Sequence, residues 1–358
     1  MKARAALFHG PGQPFEVREI DLQEPRPGEV VVRMAAIGIC GTDLHSVKGE
    51  WSRPTPSVLG HEGAGVIEAV GEGVASLRAG DRVVLSWAPS CGECADCLRG
   101  RPAACVPLHR AMGNGTLVDG RTGMSAGGET VYRGTATGAL IERQVVSERV
   151  ALPITDDVPL EQAALLGCAA LTGVGAVLFA ARVPEGASVL VVGAGGVGQF
   201  AVQGARIAGA SSIVCADPLE DRRARVLELG ATEAVHPDEL EIQGGADYAF
   251  DCVGDPETTR LALRWTRSAG TCVIVGLPAA GLRLDLDPAE FNRREKWLTG
   301  TMYGSEDPAV ALPILLGHVR EGRLDLASMV GPAFPLDRID DAVQASLSGE
   351  PGRVLVNP

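Results

Sequence analysis

The stretch SVLVVGAGGVGQFAVQGARIAGA, residues 188–210, decides the fold of this 358-residue chain. A short apolar strand is followed directly by Gly193, Gly195 and Gly198, which form the pattern GxGxxG at the start of a helical pattern. Glycines at these positions let the backbone approach a pyrophosphate held at a helix N-terminus. The motif alone is weak evidence, but its place between a strand and a helix predicts a dinucleotide-binding domain.

The chain on either side of this motif alternates between short apolar strands and helical patterns. Further strands are predicted at 213–216, 248–251 and 271–275, and helices at 222–229 and 256–267. Strands that are apolar throughout are buried on both faces, as happens in a parallel sheet covered by helices. We therefore expect an α/β, doubly wound parallel sheet.

Asp217 ends the next apolar strand after the glycine motif. A carboxylate at this place accepts hydrogen bonds from the ribose hydroxyls of adenosine and repels a 2′-phosphate. No arginine follows it immediately, since Pro218, Leu219 and Glu220 come next. The position favours NAD over NADP.

The first third of the chain has a different pattern, with strands separated by Gly and Pro pairs. We predict strands at 3–8, 15–21, 30–37, 65–70 and 82–86, hence a small β-rich domain. A helix at 308–321 and a strand at 353–356 are expected to pack back on it. The predicted division is residues 1–169 with 303–358 as one domain and 170–302 as the other, since one core rarely organises this length.

A cysteine-rich loop interrupts the β-rich domain with the sequence CGECADCLRGRPAAC, residues 91–105. Its four thiols are those of Cys91, Cys94, Cys97 and Cys105. Four thiolates at this spacing suit one tetrahedral zinc and leave no open coordination position, so the predicted role is structural. The alternatives are free or disulfide-paired thiols and a redox CxxC pair, which the second overlapping CxxC and the fourth thiol disfavour.

Composition limits the classes of partner. The formal net charge of −13 opposes binding to nucleic acid, which needs clustered Lys and Arg. The apolar stretch near 163–181 is interrupted by small and polar residues and favours a buried helix over a membrane span. The apolar run within residues 1–10 is too short for a signal-peptide core, so we expect a cytoplasmic protein without nucleic-acid or membrane partners.

Taken together, GICGTDLH (38–45), GHEGAGVIEAVGEGV (60–74), the four-cysteine loop and VLVVGAGGVG (189–198) resemble the zinc-containing medium-chain alcohol dehydrogenases, in order and over nearly the whole chain. The resemblance implies a β-rich, chaperonin-10-like catalytic domain interrupted by a Rossmann domain. It also implies that Cys40, His61 and Cys168 bind a catalytic zinc, with water or alcohol in the fourth position. Two thiolates and a neutral imidazole cancel the charge of Zn²⁺ and leave a Lewis acid with one open site.

The resemblance implies roles for four further residues beside these ligands. Glu62 resembles the family's carboxylate next to the metal, and Asp43 resembles the one that orients the imidazole. Thr42 and His45 match the hydroxyl and the imidazole of the family's proton relay. The competing interpretation is that the two acids and His45 are ordinary surface residues.

The implied reaction is hydride exchange between a primary or secondary alcohol and NAD, which interconverts the alcohol and an aldehyde or ketone. The implied cofactors are NAD and two Zn²⁺ per chain, one catalytic and one structural, in a homodimer or homotetramer. The coenzyme positions are Gly193, Gly195, Gly196, Val197, Gly198, Asp217, Arg222, Thr172, Val275 and Arg353. Arg222 and Arg353 are equally compatible with solvated surface arginines. Gly41 stands where several members carry a basic residue against the pyrophosphate, so we expect weaker coenzyme binding.

The substrate is less well defined by the sequence. Trp51, Trp87, Tyr132, Leu277 and Met302 resemble pocket-lining positions, which favours small alcohols, although the same residues are equally compatible with core packing. The length of the 105–143 segment resembles that of glutathione-dependent formaldehyde dehydrogenases, so a thiol-conjugate dehydrogenase is the alternative activity. His109, Arg110 and Arg133 in this segment would meet either an anionic group or water.

Two other classes of protein fit less well. A zinc-free quinone or enoyl reductase of the same fold lacks the Cys40, His61 and Cys168 set. A noncatalytic zinc module that binds nucleic acid needs a basic face, and this chain is acidic. Metal content separates the three: two zincs per chain for the dehydrogenase, one for the module and none for the reductase.

Overall fold

The computed structural model describes residues 1–88 and 90–358 and divides into two compact units. The first unit comprises Met1–Cys168, Asp307–Leu312 and Leu326–Pro358, and the second comprises Ala169–Glu306 and Pro313–Asp325. The second unit thus includes Pro313–Asp325, a segment that the sequence-based division placed in the first domain. The reason is that side chains of the glycine-motif helix hold this segment, since Gln203 Nε2 donates to the Asp325 carbonyl over 3.2 Å.

The strands of the described residues are β1 (Lys2–Phe8), β2 (Glu16–Leu22), β3 (Glu29–Gly38), β4 (Ser57–Val58), β5 (Glu62–Val70), β6 (Arg82–Leu85), β7 (Met124–Ala126), β8 (Glu129–Thr130), β9 (Tyr132–Arg133), β10 (Arg143–Ser147), β11 (Ala151–Pro153), β12 (Ser188–Val192), β13 (Ser212–Ala216), β14 (Glu233–Val235), β15 (Ala246–Asp251), β16 (Thr266–Ile274), β17 (Trp297–Gly300), β18 (Val330–Pro335) and β19 (Arg353–Asn357).

The α-helices are α1 (Gly41–Val47), α2 (Ala95–Leu98), α3 (Val106–Asn114), α4 (Leu160–Ala164), α5 (Ala169–Gly175), α6 (Gly196–Ile207), α7 (Glu220–Leu229), α8 (Pro256–Arg264), α9 (Ala289–Asn292), α10 (Pro308–Arg320) and α11 (Ile339–Ser348). Short 3₁₀ turns lie at Pro102–Ala104, Gly134–Ala136, Leu165–Gly167, Pro237–Glu239, Ala327–Met329 and Leu336–Arg338, and a π turn lies at Ala176–Ala180.

The first unit is built on two sheets. In the described residues one has the order β8-β7-β2-β1-β4-β9, and the other has the order β11-β6-β5-β3-β19-β18 with β10 also paired to β3. The C-terminal β19 pairs antiparallel with β3, Leu355 opposite Gly38 and Val356 opposite Ile37. The chain end is therefore part of the same sheet as the residues directly before Cys40. Apolar residues of both sheets, such as Leu7 and Ile37, share one core.

The second unit contains a parallel sheet with the order β14-β13-β12-β15-β16-β17 in the described residues. Its central strands are apolar and buried, with Leu190, Val214 and Ala249 in one core cluster. The predicted doubly wound parallel sheet is confirmed. One boundary was wrong: the helix predicted at 256–267 ends at Arg264, because Thr266 already pairs with Ala246 as the start of β16.

Among the described residues no single helix is long and apolar enough to cross a membrane. One bent pair, Leu160–Gly167 with Ala169–Ala180, meets that test together, by length and composition only.

Candidate active site and metal centres

Three residues that are far apart in sequence converge in the first unit. The ligand atoms of Cys40, His61 and Cys168 all lie within 4.8 Å of one another, and the three residues are 7%, 1% and 5% exposed. Cys40 directly precedes α1, His61 directly precedes β5, and Cys168 follows a 3₁₀ turn. Two thiols and an imidazole in a dry site fit a tetrahedral Zn²⁺ with one open position.

Glycines next to these residues allow the close approach of the backbones. Gly60, which precedes His61, has a φ of 84°, and a Cβ there would lie 2.9 Å from Leu140 Cγ. Gly167, which precedes Cys168, leaves room for the Leu85 carbonyl oxygen, which a Cβ would meet at 2.9 Å. A larger residue at either place would displace a ligand from the group.

Asp43 lies in the first turn of α1 and is 5% exposed. Its Oδ1 accepts a hydrogen bond from the Gly60 amide over 3.0 Å and lies 3.3 Å from His61 Nδ1, while its Oδ2 accepts from the Cys40 amide over 3.2 Å. One carboxylate thus contacts the segments that carry two of the three ligands. The alternative interpretation of Asp43 as a surface acid is wrong.

Glu62 is fully buried, yet within the described residues it is not a member of the ligand group. Its Oε1 accepts a hydrogen bond from Arg353 Nε over 3.1 Å, and Arg353 Nη1 donates to the Ile39 carbonyl over 3.1 Å. Glu62, which the resemblance places next to the metal, thus forms an ion pair with Arg353. The Arg353 side chain is 12% exposed, which also excludes a solvated surface arginine.

Buried polar atoms remain beside this pair. Glu62 Oε2 and Arg353 Nη2 have no hydrogen-bond partner among the described residues. Burial raises the pKa of Glu62 to about 7, although the charge of Arg353 opposes the shift. A buried polar atom without a partner in a native structure has a specific cause, such as a catalytic role, a bound water or a bound ion.

The three converging side chains shift one another's pKa values. A hydrogen bond from Cys168 lowers the pKa of Cys40 well below its usual value, and the same bond raises the pKa of Cys168. Burial lowers the pKa of His61, but the charges of Asp43 and Cys40 outweigh it and raise the pKa to about 10. Metal binding requires both thiolates and a neutral imidazole, so a divalent cation would displace these protons.

The predicted relay residues Thr42 and His45 lie on α1, and both are half-buried. His45 Nδ1 is hydrogen-bonded to Glu50 Oε2, and its ring stacks on Trp51 with centroids 4.7 Å apart. These contacts hold the imidazole on two sides. Sequence reasoning missed Glu50, because its pairing depends on the turn after α1 and no motif marks it.

The structure places the predicted pocket residues as follows. Trp51 stacks on His45, and Trp87, which is 6% exposed, lies edge-on to His61 with centroids 6.0 Å apart. Tyr132 is half-buried in β9. In the second unit Leu277 is 41% exposed and Met302 is half-buried. The ring of Trp87 thus packs against a candidate zinc ligand.

The cysteine loop forms a second group in the first unit. Cys91, Cys94, Cys97 and Cys105 have all their sulfur atoms within 4.8 Å of one another, and all four are free thiols. The amides of Cys91 and Cys94 donate to the sulfurs of Cys105 and Cys91, both over 3.3 Å. Such donors favour thiolates, and four thiolates fit a closed tetrahedral zinc site.

Backbone geometry and one arginine support this loop. Gly92 has a φ of 78°, and a Cβ there would lie 2.7 Å from Arg149 Nη1. Arg149 donates to the Cys91 carbonyl over 2.6 Å. Hydrogen bonds within the group lower the pKa of Cys94 to about 6, the amide of Cys97 having the largest effect. Sequence reasoning gave Arg149 no role, because it lies far along the chain from the cysteines.

The glycine motif of the second unit lies between β12 and α6. Gly193 has a φ of 92°, and a Cβ on Gly198 would lie 1.7 Å from the Gly193 carbonyl oxygen. Gly195 precedes the first turn of α6, which contains Gly196 and Val197. A Cβ on Gly195 would meet nothing within 4 Å. The motif thus combines one tight internal contact with one open position.

Asp217 follows β13 and is 2% exposed. Its Oδ2 accepts from the Ala194 amide in the glycine loop over 2.7 Å, and its Oδ1 accepts from the Leu219 amide over 2.9 Å. Arg222 Nη1 lies 3.9 Å from Oδ2. The carboxylate therefore joins the glycine loop to the end of the next strand. The other two predicted coenzyme positions, Thr172 and Val275, are 9% and 5% exposed.

One predicted cation has a different role. Arg133 is 1% exposed, and its guanidinium donates to the carbonyls of Thr122, Thr137 and Val145 over 2.5, 3.0 and 3.2 Å. It is therefore not available to an anionic substrate. Arg110 is exposed on α3, and His109 Nε2 lies 3.0 Å from the Ala103 carbonyl oxygen.

Two family models match the chain. Residues 26–156 match the alcohol dehydrogenase GroES-like domain, and residues 196–316 match the zinc-binding dehydrogenase model. Together they cover the candidate ligands Cys40 and His61, the cysteine loop and the start of α6. The fold is thus a GroES-like domain with a Rossmann-like domain.

Individual proteins agree with these matches. S-(hydroxymethyl)glutathione dehydrogenase of Photobacterium damsela subsp. piscicida is 34% identical, with all of both chains covered. Alcohol dehydrogenase 6 of Peromyscus maniculatus is 33% identical over all of this chain and 98% of the relative. A crystal structure of an alcohol dehydrogenase zinc-binding domain protein from Burkholderia ambifaria superposes with a TM-score of 0.94 at 34% identity, covering 100% and 99% of the two chains. This chain therefore belongs to the zinc-containing medium-chain alcohol dehydrogenase family, and it is a zinc-type oxidoreductase.

Proposed function

We propose that the protein is an NAD-dependent alcohol dehydrogenase that interconverts a primary or secondary alcohol and its aldehyde or ketone. The observation that carries the proposal is the buried group of Cys40, His61 and Cys168, whose ligand atoms lie within 4.8 Å of one another. Three donors leave one tetrahedral position for the substrate oxygen. These three residues would hold a zinc ion, which would supply a Lewis acid for the substrate hydroxyl.

The chain's own residues have distinct roles in this proposal. Asp43 orients His61, because its carboxylate lies 3.3 Å from Nδ1 and is itself fixed by two amides. Thr42 accepts the proton that leaves the alcohol and passes it towards His45. Glu50 and Trp51 hold the His45 ring in place.

The preference for NAD rests on Asp217. Its carboxylate is 2% exposed and already holds two backbone amides, so its charge stays at the end of β13. The fixed negative charge of Asp217 repels a 2′-phosphate. Arg222 lies 3.9 Å from this carboxylate and is partly exposed, so its attraction for the phosphate is weaker than the repulsion. We further propose two zincs per chain, one at each group, and a cytoplasmic homodimer or homotetramer without nucleic-acid or membrane partners.

The second candidate is oxidation of a thiol conjugate, as the name of the Photobacterium damsela relative suggests. Identities of 34% and 33% to relatives of the two kinds do not separate the activities. The burial of Arg133 removes one of the cations that could meet an anionic conjugate. This favours the simple alcohol.

The test is a comparison of NADH formation from NAD by a panel of alcohols and by formaldehyde with glutathione. The proposal predicts turnover of one or more free alcohols in the absence of any thiol. Turnover of formaldehyde only when glutathione is present would support the second candidate instead. NADP in place of NAD should give much slower rates with the same substrate.

A further inference from the structure

The turn Gly134–Gly138 of the first unit has a strained backbone. Thr135 and Ala136 have φ angles of 55° and 60°, and they are 2% and 5% exposed. Residues other than glycine avoid this left-handed region because their Cβ atom approaches the following carbonyl oxygen too closely. Two such residues in succession persist only where the surrounding structure fixes them.

Two buried polar side chains fix this turn. The guanidinium of Arg133 donates to the Thr137 carbonyl over 3.0 Å and to two further carbonyls outside the turn. Gln144 Nε2 donates to the Thr137 carbonyl over 3.0 Å and also to the Gly138 carbonyl. Burial lowers the pKa of Arg133 to about 9, which leaves the guanidinium charged at neutral pH. The hydrogen bonds of this buried cation within the described residues go to three backbone carbonyls, so it holds the turn in place.

The turn packs on the segment that leads into His61. The amides of Ala139 and Leu140 donate to the carbonyls of Gly60 and Leu59 over 2.8 and 2.9 Å. A Cβ on Gly134 would lie 2.8 Å from Leu59 Cα. The backbones of the turn and of the segment before His61 are therefore in direct contact, and each fixes the position of the other.

This packing brings the hydroxyl of Thr135 to the imidazole. Thr135 Oγ1 lies 3.5 Å from His61 Nδ1, and Asp43 Oδ1 lies 3.3 Å from the same nitrogen. Both oxygens can accept from an N–H on Nδ1. We propose that Thr135 is a second positioning residue for His61, acting with Asp43 so that Nε2 is the nitrogen left for the metal. The proposal rests on the proposed function, since it assumes a metal at Cys40, His61 and Cys168.

The test removes the hydroxyl without changing the shape of the residue. Thr135→Val keeps the β-branched side chain at the same φ, and Thr135→Ser keeps the hydroxyl. Thr137→Val is a control for loosening of the turn, because its hydroxyl donates to the Thr135 carbonyl rather than to His61. Zinc release to a chromogenic chelator is followed in each, and Cys168→Ser shows which phase belongs to this site. Substitution of a residue that supports a metal-bound histidine lowers the metal affinity about 10–100-fold.

We expect Thr135→Val to release the zinc of this site about tenfold faster, with Thr135→Ser and Thr137→Val close to the wild type. The cobalt-substituted Thr135→Val protein should also show a changed visible spectrum. Thr135→Gly accepts the positive φ without strain, so it provides a folded protein without the hydroxyl if the valine variant does not fold. It should release zinc as fast as the valine variant.

Zinc release at the wild-type rate from Thr135→Val, or from Thr135→Gly where the valine variant does not fold, would overturn the role of Thr135. Equal acceleration by Thr135→Val and Thr137→Val would also overturn it, because the hydroxyl at His61 would then not be the cause. A wild type whose zinc release is unchanged by Cys168→Ser would instead contradict the proposed function.

Discussion

Alanine substitution of Gly198 should destabilise the fold, whereas alanine substitution of Gly195 in the same glycine motif should not. A Cβ on Gly198 would lie 1.7 Å from the Gly193 carbonyl oxygen, where ordinary contacts begin at 3.4 Å. The carbonyl would have to move by the difference, about 1.7 Å, and it is backbone rather than a flexible side chain. Overpacking costs about 1–3 kcal/mol, so we expect Gly198→Ala to lower the free energy of unfolding by about 3 kcal/mol.

Gly195→Ala should leave the fold unchanged. Gly195 has a φ of −69°, and a Cβ there meets nothing within 4 Å. Its stability should therefore stay within about 0.5 kcal/mol of the wild type. The new methyl group would instead occupy the space that a pyrophosphate needs, and a clash of about 1.4 kcal/mol weakens NADH binding about tenfold.

Urea unfolding and titration of NADH fluorescence measure the two effects separately. Gly113→Ala is the control, because a Cβ there also meets nothing and the residue lies on α3 of the first unit. If Gly195→Ala bound NADH as tightly as Gly113→Ala, this loop would not hold the coenzyme. If Gly198→Ala unfolded at the same urea concentration as the wild type, the internal contact would not support the fold.

Three further predictions concern single residues. Asp217→Ala should bring the rates with NADP closer to those with NAD, and equal use of both coenzymes by the wild type would contradict the role of Asp217. Thr42→Ala should lose most activity, whereas His45→Gln should lose about tenfold at neutral pH and recover as the pH rises or imidazole is added; an unchanged pH–rate profile would remove His45 from the relay. Asp247 accepts from the Ser188 amide and hydroxyl over 2.7 and 2.6 Å, and although burial raises the pKa of Asp247, these bonds and Arg267 lower it overall. Because the pKa of Asp247 is depressed in the folded state, its ionised carboxylate stabilises the fold above the unfolded-state pKa of about 3.9. This stabilisation is lost as the pH falls through the folded-state pKa. Asp247→Asn should therefore unfold at a lower urea concentration than the wild type at pH 7, and at nearly the same concentration in acid.

Most of the fold could be predicted from local patterns in the sequence. The glycine motif and the apolar strands around it are short-range signals, and they gave the parallel sheet of the second unit. The cysteine loop is equally local, because Cys91, Cys94 and Cys97 need only a few residues of backbone to share a centre. The end of α8 was placed too late, since the pairing of Thr266 with Ala246 depends on a strand elsewhere in the chain.

The candidate active site depends on contacts that no spacing reveals. Cys40, His61 and Cys168 were grouped by resemblance, because the packing of β3, β5 and a 3₁₀ turn brings them together. The role of Arg133 was missed for the same reason, since its three carbonyl partners become neighbours only in the folded unit. The one local signal near Thr135 is the pair of glycines, Gly134 and Gly138, that bound the segment GTATG and indicate a turn.

The zinc content of purified Cys168→Ser, compared with that of the wild type and of Cys94→Ser, distinguishes the two proposed metal sites. An open three-ligand site and a closed four-thiol site predict two zincs per chain in the wild type. They predict one zinc in a folded, inactive Cys168→Ser protein, and loss of stability in Cys94→Ser because its zinc holds the loop together. Two zincs and full activity in Cys168→Ser, or equal loss of fold from both substitutions, would contradict the account.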